Sequence, residues 1–217
     1  MEKTTAQKER FQQLVKPIKE LFYAYGLKNL SMDEVSRRLG ISKKTLYTFV
    51  QNKEDLVGKI FVEDDSEFQK ITEKINDDPI NAIEKLLKIS QMVHDEIKKN
   101  NLVIRVEMQK YYHHIYETFL EKKLNFVYEG MKINIQQGIT EKLYRDDINI
   151  DLVATIYLNS FIEIHNSEIC KILDINFLQL FEVMFENHIR AISTPAGLAY
   201  FESRKNEIKA YINTIKK

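Results

Sequence analysis

The sequence predicts an all-α fold, and three observations carry that expectation. Only 6 Gly and 3 Pro interrupt 217 residues, leaving long stretches without turn formers. Apolar residues recur at i, i+3, i+4 and i+7 in one segment after another, the period of a helix with one buried face. Capping residues stand where these stripes begin and end: Ser31, Ser42, Asn52, Asp78 and Thr194 before them, Gly26 and Gly40 after.

The first helix is expected over about 5–25, with Phe11, Leu14, Val15, Ile18, Leu21, Phe22 and Tyr25 on one stripe. Pro17 lies inside it and removes a backbone donor, so a kink or a late start is expected there. A kink would turn Lys3, Lys8 and Arg10 towards whatever the head binds. Ser31 followed by Glu34 reads as a capping box that starts a second helix at Met32. Gly40 stops that helix, because its left-handed conformation costs any residue with a Cβ. Ile41 fills the turn, and Ser42 caps a third helix from Lys43 to about Val50. Two short helices around a Gly-containing turn form a helix-turn-helix over 31–50.

The third helix can be read face by face. Leu46, Phe49 and Val50 form the inward stripe. Lys44, Thr48 and Gln51 then point outward, Thr45 and Tyr47 lie on the flanks, and Lys43 stands at the N-terminal rim. This face carries cations, hydroxyls and an amide but no carboxylate. Lysines neutralise phosphates or reach guanine acceptors, and Thr donates a hydrogen bond or touches a thymine methyl, so duplex DNA is the expected partner. The candidate DNA-binding residues are Ser31, Ser42, Lys43, Lys44, Thr45, Tyr47, Thr48 and Lys53.

The run LYTFVQNKEDL resembles the signature of the TetR family of transcriptional repressors, in which a Leu-Tyr-His-Tyr-Phe type run precedes a Lys-Glu-Asp-Leu type segment. The resemblance spans roughly residues 8–60. It implies that Tyr47 and Lys53 contact backbone phosphates. Thr48, Phe49 and Val50 depart from the His, Tyr and Phe usual there, and Phe49 has no hydroxyl to offer a phosphate. The resemblance also implies a homodimer, a near-palindromic operator, a body that senses a small-molecule effector, and repression as the usual direction.

Downstream, a fourth helix is expected from Asn52, capped by Asn52 with Asp55 in its first turn, to about Ile75. Asp78 and Pro79 read as cap and first position of a fifth helix ending near Asn100. A short helix over about 102–109 and a long one over about 112–137 follow. The latter is apolar on two sides and therefore central. Residues 138–150 read as a connector. Helices over about 150–170 and 174–192 come next, and Thr194-Pro195 opens a further C-terminal helix, about 196–214, that adds to the resembled family's plan. The expected division is a DNA-binding domain over 1–60 and a regulatory and dimerisation domain over 61–217.

Charge agrees with that division. Residues 1–60 hold 12 Lys+Arg and 7 Asp+Glu, a net +5, and the remaining residues hold 20 and 25, a net −5, within totals of 32 each. A basic head on an acidic body suits a polyanionic partner. The charged N-terminus lacks a signal sequence's apolar region, and no apolar run approaches the roughly 20 residues of a membrane span, so a cytoplasmic protein is expected. The single cysteine, Cys170, allows no internal disulfide.

No P-loop, Gly-x-Gly-x-x-Gly, nucleophile elbow or paired-cysteine motif appears, and neither catalysis nor a cofactor is expected. His114 with Glu117 and His165 with Glu168 share helix faces at i, i+3, but no further ligand stands at matching spacing, and no metal site is assigned. Of 23 Phe and Tyr, 17 lie beyond residue 60, enough to line an apolar pocket between helices. His94, Phe119, Phe126, Met131 and Tyr157 are the expected ligand contacts. Val153, Tyr157, Phe161, Phe181, Phe185 and His188 are the expected dimer seam, packed with a second copy as a four-helix bundle. Two rival readings stand beside this one: a small helical enzyme, and a protein-interaction adaptor, each with a degenerate helix-turn-helix.

Overall fold

The structure is a computed structural model, and it describes residues 5–99, 102–166 and 177–215. The described residues form ten helices: α1 Thr5–Tyr25, α2 Met32–Arg38, α3 Lys43–Phe49, α4 Lys53–Asp77, α5 Ala82–Lys99, α6 Leu102–Tyr111, α7 His113–Thr140, α8 Ile150–Asn166, α9 Phe177–Ile192 and α10 Pro195–Ile215. No strand is present among them, and the one β-bridge pairs Tyr144 with Ser193. The fold is all-α.

The chain packs as two units, residues 1–71 with 99–123, and residues 72–98 with 124–217. The first unit thus takes in more than residues 1–60: α6 and the start of α7 return to it. Its core gathers Phe11, Ile18 and Phe22 of α1, Leu27 and Leu30 of the following turn, Val35, Leu46, Phe49 and Val50 of the helix-turn-helix, and Leu56, Val57 and Ile60 of α4. Ile104 and Met108 of α6 complete it. Burying side chains of this size contributes about 1.5–3 kcal/mol each before the entropy of ordering is subtracted.

Helix α1 is continuous through Pro17, so the proline is neither its start nor its end. Phe11 before it and Ile18 after it enter the same core. That shared burial is what offsets the roughly 3 kcal/mol an interior proline costs.

The second unit is built around Ile83, Leu86, Met131, Ile135, Tyr144, Ala154, Phe185, Ile189, Ile192 and Phe201. Helix α5 begins later than the sequence suggested. Asn81, not Asp78, caps it, its Oδ1 accepting the Glu84 N–H at 2.9 Å. Asp78 and Pro79 lie in the preceding turn, where Asp78 pairs with Lys88 at 3.1 Å. Helix α7 runs three residues past the expected 137, to Thr140. Thr194 caps α10 as expected, its Oγ1 accepting the Gly197 N–H at 3.2 Å. That C-terminal helix is held by charge: Glu84 accepts two bonds from Arg204, at 2.8 and 2.9 Å, and one from the Tyr200 hydroxyl at 3.1 Å. These three donors depress the Glu84 carboxyl below its usual range, Arg204 contributing most.

Candidate nucleic-acid interface

The helix-turn-helix forms by local chemistry. Ser31 Oγ accepts the Glu34 N–H at 3.2 Å and starts α2. The reciprocal half of the capping box is absent, since the Glu34 carboxylate faces Arg37 and Arg38, each at 3.5 Å. Gly40 adopts φ 66°, and the Ile41 N–H reaches back to the Ser36 carbonyl at 3.0 Å, closing the helix end. Ser42 Oγ then accepts the Thr45 N–H at 3.0 Å and opens α3. Such a cap contributes about 1 kcal/mol, a large share for a seven-residue helix that cannot stand alone.

Packing orients α3. Leu46, Phe49 and Val50 are at most 3% exposed. Lys44, Tyr47 and Thr48 are therefore turned to solvent, with Ser42 and Lys43 beside them and Thr45 half-buried. Lys44 makes no ion pair among the described residues, but Lys43 lies 2.7 Å from Asp33 of α2. Thr48 Oγ1 donates to the Thr45 carbonyl at 2.7 Å. Asn52 caps α4, its Oδ1 accepting the Asp55 N–H, and Asp55 Oδ2 reaches back to the N–H of Gln51, the residue before the cap, both at 2.8 Å. Just inside it, Lys53 Nζ donates to the Lys28 carbonyl at 3.3 Å, and burial holds its pKa below the ordinary lysine value.

A cleft of about 430 Å³ runs between α1 and α3, lined by Ala6, Gln7, Arg10, Ser42, Lys44, Thr45, Thr48 and Phe49. Arg10 therefore flanks the same face as Lys44. Lys3 and the side chain of Lys8 lie outside the described residues. The lining has two cations, hydroxyls and an amide but no carboxylate, which is the chemistry of a nucleic-acid surface. Gln7 was not anticipated, because its role depends on where α1 passes α3 and not on any motif.

The ligand and dimer sets are distributed differently from the expectation. Phe119 belongs to the first unit, edge-to-face with Phe61 at 6.1 Å, whereas His94, Phe126, Met131 and Tyr157 belong to the second. Met131 is core, and His94 faces Asp95 at 3.5 Å and Glu182 at 3.4 Å. The Tyr157 ring lies 4.6 Å from that of His188, tilted by 58°, and Phe161 meets Phe181 edge-to-face at 6.2 Å. Phe181 and Phe185 are 3% and 8% exposed within the single chain, because α8 and α9 pack on one another through them. Both are thus buried within the single chain, and Val153 also packs against this core. Leu152, Ile156 and Val183 are 62%, 65% and 54% exposed on the same two helices. His188 Nε2 is buried with no hydrogen-bond partner among the described residues, and burial pushes its pKa down to about 4.

Glu117 pairs with His113 at 3.0 Å and not with His114 as its spacing suggested. Glu168 and Cys170 lie outside the described residues. Among the described residues no group of three His, Cys, Asp or Glu side chains could hold a metal ion, and no helix is long and apolar enough to cross a membrane.

A capped helix-turn-helix with a cationic, carboxylate-free outer face defines a DNA-binding protein of the transcription-regulator class. Residues 14–60 match the family described as bacterial regulatory proteins, tetR family. Solved structures share the fold. A TetR-family regulator from Cytophaga hutchinsonii is 15% identical, with 89% of this chain and 99% of that one covered and a TM-score of 0.65. One from Agrobacterium tumefaciens is 11% identical over 87% and 100% of the two chains, at 0.66. FadR from Bacillus subtilis, solved in complex with stearoyl-CoA, is 17% identical over 84% and 99%, at 0.60. No curated protein sequence matches. Residues 14–60 thus match the DNA-binding segment of the TetR family of regulators, and the chain as a whole has the fold of solved TetR-family regulators.

Proposed function

We propose that the protein is a ligand-responsive repressor of the cytoplasm that binds a palindromic operator as a homodimer. The outward face of α3, with Lys44, Tyr47 and Thr48 exposed beside Arg10, is the observation that carries this reading. Two such faces, about 34–36 Å apart, would enter successive major grooves, with Lys44 and Thr48 reading bases and Tyr47 and Lys53 on phosphates. Ser31, Ser42, Lys43 and Thr45 border the contact. The second copy is met through the outward faces of α8 and α9, at Leu152, Ile156 and Val183, with Tyr157, Phe161, Phe181, Phe185 and His188 supporting them from inside.

An effector is placed in the second unit, at His94, Phe126, Met131 and Tyr157. Phe119 is left out because its ring is engaged with Phe61. An effector acts only by its differential affinity for the DNA-competent and incompetent states. Stearoyl-CoA is the first compound to try, since FadR, a fold relative, holds it. The test is selection of duplexes from random DNA by the full-length protein, followed by sedimentation of the complex. An inverted repeat bound by two copies is expected. Selection of no common sequence would overturn the reading.

A further inference from the structure

Helix α6 carries a carboxylate into the head. Glu107 accepts the backbone N–H of Leu27, 80 residues earlier, and that of Lys28 at 3.3 Å. The turn is shaped to admit it. Gly26 adopts φ 82°, which favours glycine, and a Cβ there would lie 3.1 and 3.2 Å from the two Glu107 oxygens, crowding the carboxylate. Apolar anchors flank the carboxylate: Ile104, three residues before it, and Met108, the next residue, are 3% and 2% exposed in the head core. The Lys28 ammonium lies 5.4 Å from the centre of the Tyr111 ring, a further tie between the turn and α6.

Residue Lys28 is the link outward. Its N–H is held by Glu107, and its carbonyl accepts Lys53 Nζ at 3.3 Å. A buried-side carboxylate, one backbone residue and the lysine at the start of α4 thus form a chain of bonds from α6 to the DNA-facing end of the head. We infer that Glu107 is a positioning residue for DNA binding, fixing the 26–28 turn so that Lys53 is aimed at a backbone phosphate. The inference rests on the reading that Lys53 contacts DNA.

Its sign separates it from simple charge. A carboxylate near a DNA surface repels phosphates, so on charge alone its removal strengthens binding. A positioning carboxylate does the reverse when it can no longer reach the turn. Glu107→Asp keeps the charge and withdraws the oxygens by one methylene, whereas Glu107→Gln keeps the reach and drops the charge. Both are mild enough to fold, which thermal melts would check.

The experiment is a fluorescence-anisotropy titration of the full-length protein on its selected inverted-repeat duplex and on random duplex, at several salt concentrations. Wild type, Glu107→Asp, Glu107→Gln, Lys53→Ala and the Lys53→Ala/Glu107→Asp double variant are compared. Glu107→Asp is expected to bind both duplexes roughly tenfold more weakly, the scale of one charge-assisted hydrogen bond. Its salt slope should fall by about one unit, the loss of one phosphate contact. Glu107→Gln should stay within about twofold of wild type, and the double variant should be no weaker than Lys53→Ala alone. Unchanged binding by Glu107→Asp, tighter binding by Glu107→Gln, or additive losses in the double variant would overturn the inference. An inert Lys53→Ala would instead remove the reading of Lys53 on which it stands.

Discussion

Lys43 Nζ lies 2.7 Å from Asp33 Oδ1, an ion pair that ties the rim of the recognition helix to α2. The Asp33 hydrogen bond, followed by its charge, raises the Lys43 pKa above its ordinary value. In the proposed DNA complex Lys43 would meet the duplex already partnered, its contribution reduced by the carboxylate that holds it. Asp33→Asn should free the cation and remove a negative charge from the interface. Binding to selected and random duplexes should tighten by roughly two- to tenfold at low salt, with a steeper salt slope. Anisotropy titrations at two salt concentrations check this. Weakened binding would mean that the pair orients Lys43 and does not restrain it.

Lys44 and Thr48 face outward, Lys44 with no ion pair among the described residues, and they are the residues proposed to read bases. Alanine at each should cost about 1–3 kcal/mol against the selected duplex and much less against random DNA. Lys53→Ala should weaken both duplexes alike. Competition titrations distinguish the two patterns, and a uniform loss in all three variants would move the reading face off Lys44 and Thr48.

Ile156 and Leu152 stand one helical turn apart on α8, more than 60% exposed, whereas Phe181 and Phe185 of α9 are inside the chain. Glutamate at Ile156 or Leu152 should yield a folded monomer. Phe181→Glu should unfold the second unit, because it places an unpaired charge in a core. Sedimentation velocity and circular dichroism read these outcomes separately. A dimer that survives both α8 variants would place the interface elsewhere.

His188 is neutral in the fold, its pKa pushed from the usual 6.5 down to about 4 by burial. The unfolded chain binds a proton between those values while the folded chain does not. Stability from this group is therefore complete above pH 6.5 and is lost as the pH falls towards 4, by up to about 3 kcal/mol. Urea melts across pH 4–7 should show that slope. His188→Phe, which keeps a ring against Tyr157, should flatten it.

Much of the head was legible because its determinants are local. Ser42, Gly40 and the Asn52–Asp55 pair act on backbone groups within four residues, and the inward stripe of α3 follows from its period. The start of α5 was not legible. Asp78 and Asn81 are both good caps, and the choice falls to Asn81 because Ala82 is held from afar: its N–H donates to Glu141 at 2.9 Å and its carbonyl accepts from Asn134 at 2.8 Å. Glu107 was invisible for the same reason, its partners being backbone amides some 80 residues away. The α8 and α9 faces pose a different problem. Helices apolar on more than one side do not reveal which side meets their own chain and which meets another.

Ile104 and Met108 close the core of the head, yet they arrive only after the chain has left it through α4 and travelled the length of α5. The DNA-binding portion is consequently not a cassette that can be cut out at residue 60 or 71 and grafted elsewhere. A fragment ending there would carry the recognition helix on an open hydrophobic bed, missing two side chains worth several kcal/mol of burial. Such a fragment should be insoluble or molten, and a working chimera must take residues 99–123 along with the N-terminal helices.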